Sequence, residues 1–248
     1  MFKAKTDRIG KLAKKYPDRI EELEGIFNKK TNIYIDFANV IRWQDKLRWH
    51  IDLKRLKQFL DSFKNIEKIK FYNGKLERDE KSFIILEEAE KCGYIVKTKP
   101  VKIMKLSIDV SSIQSNSPEI LKDFIRAPLL KKLKVEAIEF LNNQLRELNQ
   151  QGILSVQDLK CNFDVEIGRD MLIDYERNGI EDFVLWSGDS DFADPINQLL
   201  EDDKKVVLFS TARKIASELN KLREKGLFIF DIQKIRNFIC WKREISLL

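Results

Sequence analysis

With 248 residues, 43% of them apolar, the chain can bury a sizeable core, either as one large α/β domain or as a core with an elaboration. Lys and Arg outnumber Asp and Glu by 46 to 40, a formal charge of +6 that suits a polyanionic partner without establishing one. Cys92, Cys161 and Cys240 are too scattered for a disulfide framework or a zinc site, no apolar run approaches a membrane span, and no hydrophobic signal core accompanies Lys3, Lys5, Arg8 and Lys11, so a cytoplasmic protein with reduced thiols and no membrane partner is expected.

Residues 1–30 read as a basic helical extension, with Pro17 placed to open a helix running through Phe27. The first strand, about 32–37, ends in Asp36, and Asn39 follows about one helical turn on. A helix near 51–63, a strand near 66–72, a helix near 79–92 and a strand near 94–98 come next. The spacing then breaks for about sixty residues, too many for a simple connection. Ser107 to Pro118 is polar and loop-like, whereas Leu130, Leu133, Ala137, Leu141, Leu145 and Leu148 recur at helical spacing. Such a helix ordinarily packs onto a core; a dimerisation arm, or one that clamps substrate near the mouth of a crevice, is the sharper reading. Beyond it come a helix near 165–178, a strand near 182–187, a helix near 191–202, a strand near 205–210, a helix near 212–224, a strand near 227–231 and a closing helix near 232–240.

Strands that are apolar almost throughout, such as Phe183 to Trp186 and Val206 to Phe209, belong in a sheet covered on both faces. Their alternation with helices predicts right-handed crossovers and a parallel, doubly wound α/β sheet flanked by helices. In such a sheet, ligands bind beyond the carboxyl ends of the strands where the strand order reverses. If the strands run 3-2-1-4-5 in chain-order numbering, that crevice lies between the strand ending in Asp36 and the one leading into Ser187-Gly188-Asp189-Ser190-Asp191. Two acid-tipped strands suit a hard divalent cation, which takes oxygen ligands. Asp164 has the character of an N-cap on the intervening helix and can point into the same crevice, with Asp170 further along that helix as a supporting or surface residue.

The blocks Ile35-Asp36-Phe37-Ala38-Asn39, Asp164-Val165 followed by Asp170, and Ser187-Gly188-Asp189-Ser190-Asp191-Phe192 resemble the NYN domains of the PIN-like nuclease superfamily, most closely the LabA-like bacterial branch. Phe228-Ile229-Phe230-Asp231-Ile232 is similar to that family's closing strand and helix entry. The resemblance spans about 31–105 and 158–240 within a domain of 31–248; a mainly helical insertion at about 106–157 is foreign to a minimal NYN domain. It implies a metal-dependent endoribonuclease using Mg²⁺ or Mn²⁺ and acting on single-stranded or structured RNA. Asp36, Asp164, Asp189 and Asp191 would be the catalytic, metal-holding acids, with Asn39, Ser187 and Gly188 in support. The family's lysine ahead of the middle acid is displaced here: Lys160 stands four residues before Asp164.

The chemistry also stands on the residues. Phosphodiester hydrolysis needs an activated water and neutralised phosphoryl oxygens, which cations held by carboxylates supply. His50, the lone histidine, sits in no motif and is no candidate base. Asn39 suits orientation of a carboxylate or water, and Gly188 suits close approach of phosphate. Arg42, Trp43 and Arg48, with Trp49 beside them, and Lys97, Lys99 and Lys102, with Lys105 beyond, are candidates to contact nucleic acid, set against plain packing and a solvated edge. A catalytically silent RNA- or protein-binding regulatory module and a structure-specific DNA nuclease are the competing functions, and a homodimer through the helical insertion is the candidate assembly.

Overall fold

The computed structural model describes residues 1–41, 43–44, 49–77, 79–107, 109–110, 112–151, 155–211 and 215–242. Its strands are β1 (Thr31–Asp36), β2 (Trp49–Ile51), β3 (Ile66–Lys75), β4 (Ile95–Pro100), β5 (Lys102–Ser107), β6 (Ser155–Lys160), β7 (Asp182–Trp186), β8 (Lys205–Ser210), β9 (Phe228–Asp231) and β10 (Cys240–Lys242). The chain forms two compact units, Met1–Pro100 joined with Cys161–Leu248, and Val101–Lys160.

The first unit is built on a six-stranded sheet in the order β4-β3-β1-β7-β8-β9, all pairs parallel. This is the doubly wound arrangement expected from the strand–helix alternation, and the order reverses between β1 and β7 as the acid-tipped strands required. Successive side chains of the central strands feed opposite cores, as strand geometry demands. Ile33, Ile35, Val184, Trp186, Val207 and Phe209 join one core, which is completed by residues of the helices Asp7–Lys15, Pro17–Ile26, Leu53–Leu60, Glu80–Cys92 and Arg236–Ile239. Tyr34, Phe183, Leu185, Val206 and Leu208 join the other, with Ile167 and Met171 from Asp164–Asn178 and Ile196 and Leu199 from Ala193–Glu201. Pro17 opens its helix at the first position, where a missing N–H costs nothing.

Some short pairings were not anticipated. β2 and β10 pair antiparallel, Ile51 opposite Cys240 and Trp49 opposite Lys242. Trp43 is the clear correction to the nucleic-acid candidates: it is 2% exposed and packs in the first core, so it cannot stack on a base without unfolding its surroundings. Arg42 and Arg48 lie outside the described residues, as does the side chain of Trp49. Lys97, Lys99 and Pro100 lie on β4, an edge strand, where lysines and proline also discourage pairing with other chains.

The second unit holds the antiparallel pair β5–β6, Lys102 opposite Lys160 through Ser107 opposite Ser155, and the helices Leu121–Phe124, Ala127–Leu130 and Val135–Gln150. Leu121, Leu130 and Ile138 are buried together, and Ile125, Leu133, Leu141 and Leu145 pack against them. Buried Asn142 ties down the preceding loop, its Nδ2 donating to the carbonyls of Ser115 at 2.6 Å and Ser117 at 2.7 Å. The single amphipathic run read from Leu130 to Leu148 is broken before Val135, so Leu130 belongs to a separate short helix. Among the described residues no helix is long and apolar enough to cross a membrane.

Candidate active site

Asp36 is the last residue of β1, and the chain turns at once into the short helix Phe37–Ile41. Because Ile35 pairs with Trp186, the next residues along the two parallel strands are Asp36 and Ser187. The carboxylate is 6% exposed and accepts from Asn39 Nδ2 at 2.7 Å and Ser187 Oγ at 3.3 Å. Ser187 Oγ in turn accepts the Asp189 N–H at 3.2 Å, so one hydroxyl joins the two strand ends. Burial pushes the Asp36 carboxyl above the usual carboxylate range, the Asn39 and Ser187 hydrogen bonds oppose that shift, and the Asp189 charge adds to it.

Asp164 arrives from the other side of the crossover. Phe163 occupies the cap position of its helix, and Asp164 is the first helical residue, its side chain free of the capping duty read from sequence. Its carboxyl is pushed up to about 6, first by burial and then by the charges of Asp189, Asp191 and Asp36, with Lys99 opposing. Asp36, Asp164 and Asp189 line one polar pocket of about 70 Å³, together with Asn39, Cys161 and Asn162. That volume is far below the ~300–1,000 Å³ of organic-ligand pockets, so it suits ions, water and the edge of a group lying across its mouth. Asp189 caps the single turn Ser190–Phe192, its Oδ1 accepting the Asp191 N–H at 3.4 Å. Asp191 is exposed and does not line the pocket; only its charge reaches Asp164. Gly188, the residue before Asp189, accepts from the Ala216 N–H at 3.4 Å through its carbonyl.

The three carboxylates offer hard oxygens, which is the chemistry a divalent cation of the magnesium class takes, and the Cys161 thiol is the one soft atom in the lining. The spacing is looser: among the described residues, no three His, Cys, Asp or Glu side chains stand as a ready-made metal cage. Like charges repel one another, and the raised Asp164 carboxyl reflects burial first and this repulsion second, with Lys99 opposing.

Lys99 binds Glu166 at 2.6 Å and lies over the Phe163 ring at 4.7 Å, so it braces the helix entry while adding positive charge near Asp164. Lys97 is exposed, and Lys102 belongs to the other unit. His50 stacks on Trp241 at 5.0 Å and plays no part in the pocket. Sequence reasoning missed Asn162, for which its place two residues ahead of Asp164 in a helix entry was the available signal.

It also missed a buried polar network behind the pocket. Asn32, Tyr34 and Asp36 share one face of β1, and the register sets Tyr34 beside Lys70 and Asp36 beside Tyr72. Lys70 Nζ lies 2.8 Å from Asp174 and 3.8 Å from Asp170. Tyr72 donates to Asp170 at 2.8 Å, and Tyr34, Asn32 and Asn178 all donate to Asp174. Burial alone would raise the Asp174 carboxyl, but the hydrogen bonds from Lys70, Tyr34, Asn178 and Asn32 outweigh it and hold it below the usual range. Asp170 and Asp174 thus pin the helix that begins with Asp164.

Residues 126–240 match the NYN domain family model. The matched segment contains Asp164, Asp189 and Asp191, whereas Asp36 and Asn39 precede it. No curated protein matches the chain. Among solved structures, a protein of unknown function from Vibrio parahaemolyticus is similar in fold, with a TM-score of 0.50 and 15% identity over 86% of this chain and 96% of that one.

Proposed function

We infer from an NYN domain at residues 126–240, a PIN-like domain of nuclease type, that this protein is a metal-dependent endoribonuclease. The observation that supports this reading most is the convergence of Asp36, Asp164 and Asp189, from three separate elements, on one small polar pocket. In this reading Asp36, Asp164 and Asp189 hold Mg²⁺ or Mn²⁺, and Asp191 joins them from the rim. A cation bound there would acidify a water and neutralise phosphoryl oxygens of the scissile phosphodiester. Asn39 and Ser187 fix the Asp36 carboxylate, and Ser187 couples it to the Asp189 turn, so two ligands move as one unit. Gly188 leaves room for backbone to approach phosphate. The pocket is too small to enclose a nucleotide, so the strand lies across it and internal bonds are accessible, which favours endonucleolytic attack.

Single-stranded or structured RNA as substrate, a cytoplasmic setting and a homodimer through the 101–160 unit belong to the same proposal. The test is incubation of purified protein with single-stranded RNA and DNA in Mg²⁺, Mn²⁺ or EDTA. We expect RNA cleavage with either metal, none in EDTA, and at least a hundredfold loss in Asp36→Asn and Asp189→Asn with melting temperature maintained. Undiminished cleavage in EDTA, or full activity in either variant, would overturn the mechanism.

A further inference from the structure

A second pocket of about 540 Å³, sharing no lining residue with the acidic one, opens between the helices Asp7–Lys15 and Arg236–Ile239. Its walls carry Arg8, Lys11, Lys15 and Arg55 over Leu12 and Tyr16. Positions 8, 11, 12 and 15 form one stripe of the first helix, and Ile9, on another side, is fully buried and anchors that helix in the core. The stripe is therefore held in place, and like charges at this spacing oppose helix formation rather than support it.

Backbone carbonyls hold Arg8, and a carbonyl and one carboxylate hold Arg55. Arg8 donates to the carbonyls of Phe238 at 2.7 Å and Asn237 at 3.2 Å, and Arg55 to the carbonyl of Cys240 at 2.9 Å. Carbonyls orient a guanidinium without cancelling its charge. Among the described residues the one carboxylate within ion-pair range of these four cations is Asp52, 3.7 Å from Arg55 Nε. Burial and then the Arg55 charge push Arg8 below its usual value, and the Asp52 charge opposes them, so one carboxylate stands against the cations of this wall. The Tyr16 ring is already covered, with the Arg19 guanidinium 4.5 Å and the Lys15 ammonium 5.6 Å from its centroid, so it offers no free face to a base.

We propose that this pocket binds a phosphate-rich anion, several phosphates in a row, as carried by a nucleic-acid strand or by free polyphosphate. Four cations on one concave surface match the charge, the volume lies within the ~300–1,000 Å³ of ligand pockets, and fixed guanidinium forks match phosphate oxygens better than single ammonium groups do. The site needs no catalysis and stands whether or not the acidic pocket cleaves RNA.

The test is calorimetric titration of the full chain, in EDTA so that nothing is cut, with tripolyphosphate and separately with a single-stranded oligonucleotide. Lys11→Glu/Lys15→Glu changes two exposed side chains and should leave the melting temperature unchanged while weakening tripolyphosphate binding at least tenfold. If a strand is the natural source, tripolyphosphate displaces the oligonucleotide. The slope of log affinity against log salt then falls by about 1.4 in the double variant, ~0.7 for each phosphate that is no longer neutralised. If free polyphosphate is the source, oligonucleotide affinity is untouched. Arg55→Gln should weaken tripolyphosphate binding as well. Unchanged affinity for both ligands in the folded double variant and in Arg55→Gln overturns the proposal.

Discussion

Ser187 sets the geometry of the acidic pocket because its hydroxyl donates to Asp36 and accepts from the Asp189 N–H. Asp164 has no such partner among the pocket's side chains, and burial followed by the charges of Asp189, Asp191 and Asp36 raises its carboxyl from 3.8 to about 6. A carboxyl that binds its proton more tightly in the folded chain than in the unfolded one destabilises the fold once it ionises. The metal-free protein should therefore lose stability as pH rises from about 4 to about 6 and retain that deficit above. Asp164→Asn removes the penalty: in EDTA it should melt higher than the wild type at about pH 7.5, and the gap should close near pH 4. A variant that melts lower than wild type at neutral pH would show that the carboxylate is structurally required instead. Asp36 and Asp189 were legible as site candidates because two apolar strands of one chain both lead into acids, a joint pattern that turn formation or capping at each end does not require. For Trp43 the sequence left base contact and packing both open, because an aromatic beside an arginine looks the same whether it faces a base or a core, and burial decides for packing.

The helix Asp164–Asn178 takes its position from charges as well as from apolar packing. Lys70 lies inside an otherwise apolar stretch of β3 and neutralises part of the Asp170 and Asp174 pair, which are four residues apart on one helix face. Lys70→Met should cost about 3 kcal/mol in urea denaturation, since it leaves buried carboxylates without their ammonium. Tyr72→Phe removes one donor to Asp170 and should cost about 1–2 kcal/mol. If Lys70→Met were neutral, the network would not be what seats this helix. A lysine in a strand and two aspartates in a helix gave no sign of meeting, because contact across 100 residues depends on strand order and face together. The main strands and helices were readable from apolar runs that had to be covered on both faces. β2 and β10, three residues each, and β5–β6, where apolar and polar residues mix without strict alternation, leave no comparable period.

At the scale of the whole molecule, Lys99 and Cys161 flank the 101–160 unit and lie together, the thiol 4.0 Å from the Lys99 carbonyl oxygen. The chain therefore leaves and re-enters the sheet unit at one place, the arrangement in which inserted units are best tolerated. Replacing residues 101–160 with a short Gly-Ser link should leave a folded protein with cooperative unfolding and the acidic pocket intact. The excised unit has a small core of its own, Leu121, Leu130 and Ile138, yet it leaves Phe140 63% and Leu129 57% exposed. Apolar side chains this open suit a second copy of the chain better than water. If the unit is the dimer contact, sedimentation should give a dimer for the full chain. Phe140→Glu/Leu129→Glu and the excised protein should both run as monomers, and the acids should retain RNA cleavage in each. A monomeric full chain at about 100 µM would remove the dimer from the proposal, since an obligate apolar contact saturates well below that concentration.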